Sequence, residues 1–328
     1  MKIFSLIIIL IFSSVGFAKA QIGGENIYPF LRLCISGNYA SLGGFVPSAD
    51  FRGVNSVKAN PALLDSLDDK TLSLNYISYL ADIKYGSFSY AGKIKNAIIL
   101  AGGIDFFDYG DFLMTDISAN ELGHFTCKDH VFSFSAAKNL MKNFSLGLDA
   151  KTIFSKLEQY RSSALCFDFG CVYNIENKKL TIGFTAKNFG FQLKSYTNSD
   201  LEKLPMELRL SVSKQLLYAP IKFSVTAHNL QKPKLDDDFF TSVADHFIIS
   251  LEVFPQGVFS VKAGFNFLAH NDLYVSGMSP FPGFSFGADL RLKKFSVQYS
   301  RQCIAFSQNS NLFTAEIFFS SIPKRKSL

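Results

Sequence analysis

The chain has 328 residues, 48% of them hydrophobic, with 36 Phe, 13 Tyr and no Trp. Its formal charge of +6 at pH 7 is thinly spread, which argues against a nucleic-acid partner. The five cysteines, Cys34, Cys127, Cys166, Cys171 and Cys303, are odd in number and lack a CxxC pair. That excludes a complete disulfide framework and the usual zinc and redox motifs.

In chain order, residues 1–20 come first and read as a secretory signal. Met1-Lys2 supplies the positive start, and Ile3 to Phe12 is nearly all apolar. Ala18-Lys19-Ala20 offers the small-x-small site, so cleavage is expected before Gln21. The apolar core is too short for a spanning helix, which needs about 20 residues. Removing Lys2 and Lys19 leaves 6 − 2 = +4 on the exported chain. Residues 21–70 break the strand rhythm with Gly37, Gly43, Gly44 and Pro47. They are expected to form short helices and turns that plug or line a lumen, with Asn60, Pro61 and Ala62 as the plug candidates.

From Thr71 the dominant period is two, the mark of strands with one apolar and one polar face. Leu146, Leu148, Ala150 and Phe154 alternate with Ser145, Gly147, Asp149 and Lys151. Phe259, Val261, Ala263 and Phe265 alternate with Ser260, Lys262, Gly264 and Asn266, and the 222–229 and 284–291 stretches behave alike. Strands are expected at 71–79, 84–94, 97–107, 125–138, 144–155, 163–175, 179–190, 205–216, 221–230, 245–254, 258–268, 284–291, 294–302 and 311–321. After the first hairpin the connections alternate short and long. Asn139 to Asn143 and Glu176 to Lys178 are short; Asp108 to His124 and Gln231 to Ala244 are long.

Short turns at one end, long loops at the other and an even strand number describe an outer-membrane barrel. An open sheet would leave unpaired backbone in lipid, so the sheet must close. The expected fold is therefore all-β: a transmembrane antiparallel barrel over 71–321 with about fourteen strands and an N-terminal lumen-plugging segment. Both termini fall on the periplasmic side of a Gram-negative outer membrane. A solvated tail, 322–328, carries Lys324-Arg325-Lys326.

The search for chemistry yields little. Ser135-Ala-Ala-Lys138 has S-x-x-K spacing, but residues three apart on a strand face opposite ways. The five histidines are scattered without the i, i+4 spacing of a zinc helix. Asp236-Asp237-Asp238 lacks alternating calcium-ligand spacing and reads as a solvated loop. No enzyme, metal site or cofactor is expected. Phe106-Phe107-x-Tyr109 and Phe239-Phe240 read as interfacial anchors, or as partner contacts.

Two longer stretches carry a resemblance. Leu72-Ser-Leu-Asn-Tyr-Ile-Ser-Tyr-Leu-Ala-Asp-Ile-Lys-Tyr-Gly86 follows Asn60-Pro61-Ala62, and Thr226-Ala-His-Asn-Leu-Gln-Lys232 follows Leu204-Pro205. Together they resemble the PorV/PorQ family of outer-membrane barrels. That resemblance implies a fourteen-stranded, fatty-acid-transporter-like barrel in the type IX secretion system. It implies a role in the attachment complex that joins cargo to lipopolysaccharide, with PorZ-like, PorU-like and PorV-like partners and the sortase chemistry in PorU. The partner-binding candidates are His228, Asn229, Gln231, Lys232, Phe239 and Phe240. Pro233 stands where the resemblance would place an aromatic residue. The alternative is a FadL-like transporter of fatty acids or other hydrophobic solutes. A transporter needs an apolar pocket reaching the 21–70 segment and an opening in the wall, whereas a scaffold needs an exposed apolar patch on its outside loops.

Overall fold

The computed structural model describes residues 26–319, apart from 66–67, 80–82, 95–97, 198–199, 233–238, 275–280 and 305–308. The expected cleavage site at Ala18, Ala20 and Gln21, the triple aspartate and the 322–328 tail lie outside the described residues.

Fourteen antiparallel strands close into one barrel in which each pairs with its sequence neighbours and the first pairs with the last. They are β1 (Thr71–Ser78), β2 (Lys84–Lys93), β3 (Ile98–Thr115), β4 (Glu121–Met141), β5 (Phe144–Leu157), β6 (Tyr160–Ile175) and β7 (Leu180–Lys194). The round continues with β8 (Glu207–Gln215), β9 (Ile221–Ala227), β10 (Phe247–Val253), β11 (Phe259–Asn266), β12 (Phe284–Arg291), β13 (Phe295–Cys303) and β14 (Asn309–Phe318). Closure pairs Thr71 with Phe318 and Ser78 with Asn311.

The period-two pattern makes these strands because it sorts every side chain to one of two faces. On β13, Ser296, Gln298 and Ser300 are buried inward while Phe295 and Val297 face out. On β11, Ser260 and Lys262 point in, and Phe259 and Val261 point out. The outer wall thus carries Leu74, Phe88, Phe132, Phe154, Phe223, Phe286 and Phe313, all exposed. A continuous apolar wall of this extent is unstable in water and matches the lipid-facing band of a membrane barrel. No described helix is long and apolar enough to cross a membrane; the strands do the crossing.

The connections differ from expectation at three places. The Asp108–His124 stretch is not a long loop, because β3 and β4 stay paired to Thr115 and Glu121, past a register shift between Asp108 and Asp111. Phe112 stacks on Phe125 across this ribbon at 5.3 Å, a pair that sustains the ladder. Only a tight turn is left, where the Asp116 carboxylate accepts from the Ser118 and Asn120 amides at 2.8 Å. Those hydrogen bonds, led by the Asn120 side chain, hold the exposed Asp116 carboxyl below its usual range. Likewise 156–162 shrinks to a turn at Glu158 (φ 56°) between β5 and β6. The strand expected over 258–268 stops at Asn266, whose side chain caps a short helix (Phe267–Leu273) by accepting from Ala269 N at 3.1 Å.

Wall height is uneven. β3 to β7 hold 18, 21, 14, 16 and 15 residues, whereas strands such as β1, β8, β9 and β10 hold 8, 9, 7 and 7. A membrane needs about 9–11 residues per tilted strand, so the tall arc projects beyond the bilayer at the end that carries the long loops.

Candidate functional site: the lumen and its apolar upper layer

The described N-terminal segment, residues 26–64, runs inside the barrel. It begins at the loop end, where Ile27 N donates to Lys203 O at 3.1 Å and the Tyr28 hydroxyl meets the Ser162 hydroxyl. It then descends past one strand after another. Gly37 N donates to Thr314 Oγ1 at 3.0 Å and Asn38 N to Gln298 Oε1 at 3.1 Å. Leu42 O accepts from Ser250 Oγ at 2.8 Å, and the Ser48 and Ser213 hydroxyls meet at 2.7 Å. The chain is pinned to the wall by polar groups on nearly every side.

The closest approaches occur where the wall has no Cβ. A side chain on Gly147 would overlap the Pro61–Ala62 peptide, and one on Gly170 would overlap the Asn60 carboxamide. Gly183 and Gly264 meet the Pro47–Ser48 and Leu42–Gly43 backbones in the same way. Glycine lets a second backbone lie directly on the strand, a use that outweighs its cost in strand stability.

Asn60, Pro61 and Ala62 lie at the centre of this seat and are buried. Asn60 Oδ1 accepts from Ala62 N at 3.0 Å, holding the turn. Its Nδ2 donates to Pro47 O at 3.0 Å and to Cys171 O of β6 at 3.1 Å. The carboxamide therefore ties two parts of the segment to the barrel backbone, which a hydroxyl or an apolar side chain could not do.

Charges line the lumen in paired clusters, from the middle of the wall down to its turn end. Lys58 from the segment meets Asp105 of β3 at 2.6 Å, both side chains largely buried. Lys187 Nζ donates to Lys58 O at 2.6 Å and lies 3.7 Å from the Phe45 ring centroid. Lys151 bonds Asp168, Arg209 bonds Glu207 at 2.7 Å, and Arg209 also donates to Phe45 O at 3.0 Å. Lys262 and Arg291 face Glu252 and Asp289. Glu316 accepts from Ser73, Ser296 and Gln298 at 2.8, 3.2 and 3.1 Å. Pairing of this kind is what allows buried charges at all.

Near the loop end the lining changes character. Tyr28, Phe30 and Ile35 pack with Ile77, Tyr85, Phe107, Val131, Ile153 and Leu312 into an apolar layer. Phe107 sits 4.5 Å from both Phe30 and Tyr85, centroid to centroid. A cleft of about 50 Å³ opens in this layer between Leu33, Cys34 and Ile35 on one side and Ile77, Tyr79, Ile83 and Tyr85 on the other, with Gln302 and Ser310 as its polar lining. The hydrogen-bonded ladder beside it is continuous from β14 through β1 to β3, so among the described residues the wall opening expected of a transporter is not found beside the cleft.

The other sequence candidates separate. His228 is buried, its Nδ1 3.8 Å from Glu207 Oε1. Gln231 holds the β8 entry, accepting from Leu208 N and donating to Met206 O, each at 2.9 Å. Asn229 is half-buried with φ 54°. Lys232 and Phe240 are exposed, and Phe239 opens a short helix, Phe239–Ala244. The seat glycines and the apolar layer were not among the expected site residues. Gly147 and Gly264 fell on the polar face of the alternation, which marked their direction but not their task. Among the described residues no group of three or more His, Cys, Asp or Glu could hold a metal.

Fold and lumen together define a class: a fourteen-stranded membrane barrel housing its own N-terminal segment. The chain is similar in structure to the Pseudomonas putida toluene transporter TodX, with a TM-score of 0.53 and 11% identity over 87% of this chain and 97% of that one. It is also similar to the CymD monoaromatic hydrocarbon channel, with a TM-score of 0.52 and 11% identity over 88% of this chain and 98% of that one. At such identity the likeness is one of fold. No protein-family model and no curated protein matches the sequence.

Proposed function

We propose that this protein is a non-enzymatic barrel of a Gram-negative outer membrane that admits small apolar solutes, with its turn end in the periplasm. The N-terminal segment is the plug. The observation that carries this reading is the apolar cleft beneath the loop end, which reaches the plug at Leu33 to Ile35. Apolar pockets with few polar groups suit hydrocarbon-like ligands. At about 50 Å³ the cleft is smaller than the roughly 150 Å³ that takes up benzene, so a monoaromatic solute enters it, and passes the paired charges beneath, only when the plug shifts. The fold shared with a toluene transporter and a monoaromatic hydrocarbon channel supports the same solute class.

The absence of Trp gives a clean test. A Tyr79→Trp reporter at the cleft should be quenched by bromobenzene in a saturable manner. Changing Ile35 to Ser should weaken that binding several-fold. Quenching that does not saturate, and that equals quenching of a Leu193→Trp reporter on the outer wall, would remove the solute reading.

A second reading, a surface scaffold for PorZ-like, PorU-like or PorV-like partners, draws on a different feature. The β3–β4 ribbon stands above the barrel with Phe112, Leu113, Ile117 and Leu122 exposed, and apolar residues of this kind are favoured in partner contacts. Affinity purification from outer membranes separates the two. A large surface protein that disappears when residues 112–122 are trimmed supports the scaffold; recovery of the barrel with apolar compounds alone supports the transporter.

A further inference from the structure

The turn end of the barrel wears a collar of lysines. Lys70 precedes β1, Lys138 closes the outward face of β4, Lys142 follows in the β4–β5 turn, Lys178 sits in the β6–β7 turn, and Lys293 and Lys294 form the β12–β13 turn. All six are exposed. Of the carboxylates in the turns and lead-in at this end, Asp65, Asp69 and Glu176 are half-buried and Asp68 is buried. Glu176 meets Lys142 at 3.3 Å, yet the Lys142 side chain stays 82% exposed. The opposite end mixes its signs: Asp111, Glu121, Asp200 and Glu202 stand among Lys128, Lys156, Lys194 and Lys203.

The collar sits directly beyond a belt of outward apolar side chains. Ile94, Leu140, Met141, Tyr173, Leu217 and Phe295 are exposed at the ends of the same strands or in the adjoining turns. A belt of this kind marks the boundary of the hydrocarbon layer. Long lysine side chains just past it reach the level of lipid phosphates while their methylene stems stay against the apolar edge. The collar therefore places several cationic groups, spread around the circumference, at headgroup depth in one leaflet only.

We propose that this collar binds the headgroups of anionic phospholipids in the leaflet surrounding the turn end. Lysines near a negative membrane surface are attracted within a Debye length, so the interaction must weaken with salt. Because the lysines ring the wall rather than converge on one pocket, the surface suits a shell of lipids and not a single soluble anion. This goes beyond solute passage, since it concerns the outer wall at the end farthest from the apolar cleft.

The test again uses the absence of Trp. A Tyr173→Trp reporter sits in the turn-end belt and a Tyr76→Trp reporter sits on the outer face of β1 near the loop end. Each is placed in vesicles of phosphatidylcholine containing brominated phosphatidylglycerol or, in parallel, brominated phosphatidylcholine. Several-fold stronger quenching by the anionic lipid at Tyr173→Trp, absent at Tyr76→Trp, is expected. Combined Lys138→Gln, Lys142→Gln, Lys178→Gln and Lys293→Gln changes should bring the ratio to parity, as should high salt. Heat-modifiable gel mobility confirms that the variant remains a folded barrel. Equal quenching by both lipids at Tyr173→Trp overturns the proposal, and so does a preference that survives the lysine changes. Loss of the preference on adding inorganic phosphate at constant ionic strength also overturns it, because the site would then take free phosphate.

Discussion

The two sides of the barrel hold the same N-terminal segment by different means. On the tall arc, β3 to β7, the contacts are charged or backbone-deep: Lys58 pairs with Asp105, Asn60 bonds to Cys171 O, and Gly147 and Gly170 leave room for both. On β13, β14 and β10 of the low arc, single hydroxyl or amide bonds suffice, from Thr314, Gln298 and Ser250. The apolar cleft opens where low strands meet tall ones, at β1 to β3. The tall arc anchors the segment at Lys58 and Asn60. The low arc grips it closely at β8 and β11, where Arg209 donates to Phe45 O and Gly264 meets the Leu42–Gly43 backbone, and leaves slack only at residues 33–35 beside the cleft. That difference teaches where movement would start: at Leu33 to Ile35, not at Asn60.

The contrast can be broken from the anchored side first. Lys58→Ala strands the buried Asp105 carboxylate and should cost about 3–5 kcal/mol, read as a fall in the urea unfolding midpoint. Gly170→Val pushes a branched side chain into the Asn60 carboxamide and should cost about 1–3 kcal/mol or more while unseating the segment, seen as new protease sensitivity before residue 64. The low-arc counterpart, Thr314→Val, removes the hydroxyl that accepts from Gly37 N and donates to Asn75 Oδ1, and should cost about 1–3 kcal/mol in the same assay. Equal losses for Lys58→Ala and Thr314→Val would erase the proposed division between the arcs. Trimming the ribbon tip, residues 116–120, should change stability by less than about 0.5 kcal/mol, since only exposed turn contacts go.

A separate effect concerns pH. Asp68, ahead of β1, accepts from Gly53 N at 2.7 Å and Asp65 N at 2.9 Å. Burial, with Asp65 adding to it, pushes its carboxyl well above the usual range. A raised native value means that the folded state binds the proton more tightly than the unfolded chain. Stability then falls as pH rises from the unfolded value through the native one. Asp68→Asn should flatten that fall, measured as unfolding midpoints across pH; an unchanged slope would assign it to another group.

Much of the barrel was legible because lipid outside and a polar lumen inside impose one strict period. All fourteen strands could be read, and the inward set from Asp149 to Asp289 followed from alternation alone. Loop lengths were less legible. Asp108 and Asp111 look like loop residues, yet Phe112 against Phe125 keeps the ribbon paired beyond the membrane. The site was the least legible. An inward glycine looks the same in sequence whether it faces water or another backbone, and Gly170 gains its meaning only from Asn60. The apolar layer joins residues such as Phe30, Tyr85 and Ile153, which are distant in sequence and share no period, so only the closed barrel brings them together.

Planar-bilayer conductance of the unmodified protein beside Gly170→Val tests the central claim most directly, namely that the anchored segment closes the lumen to polar solutes. The account predicts a silent parent and a steadily conducting variant. A large, steady ionic current through the parent would contradict it.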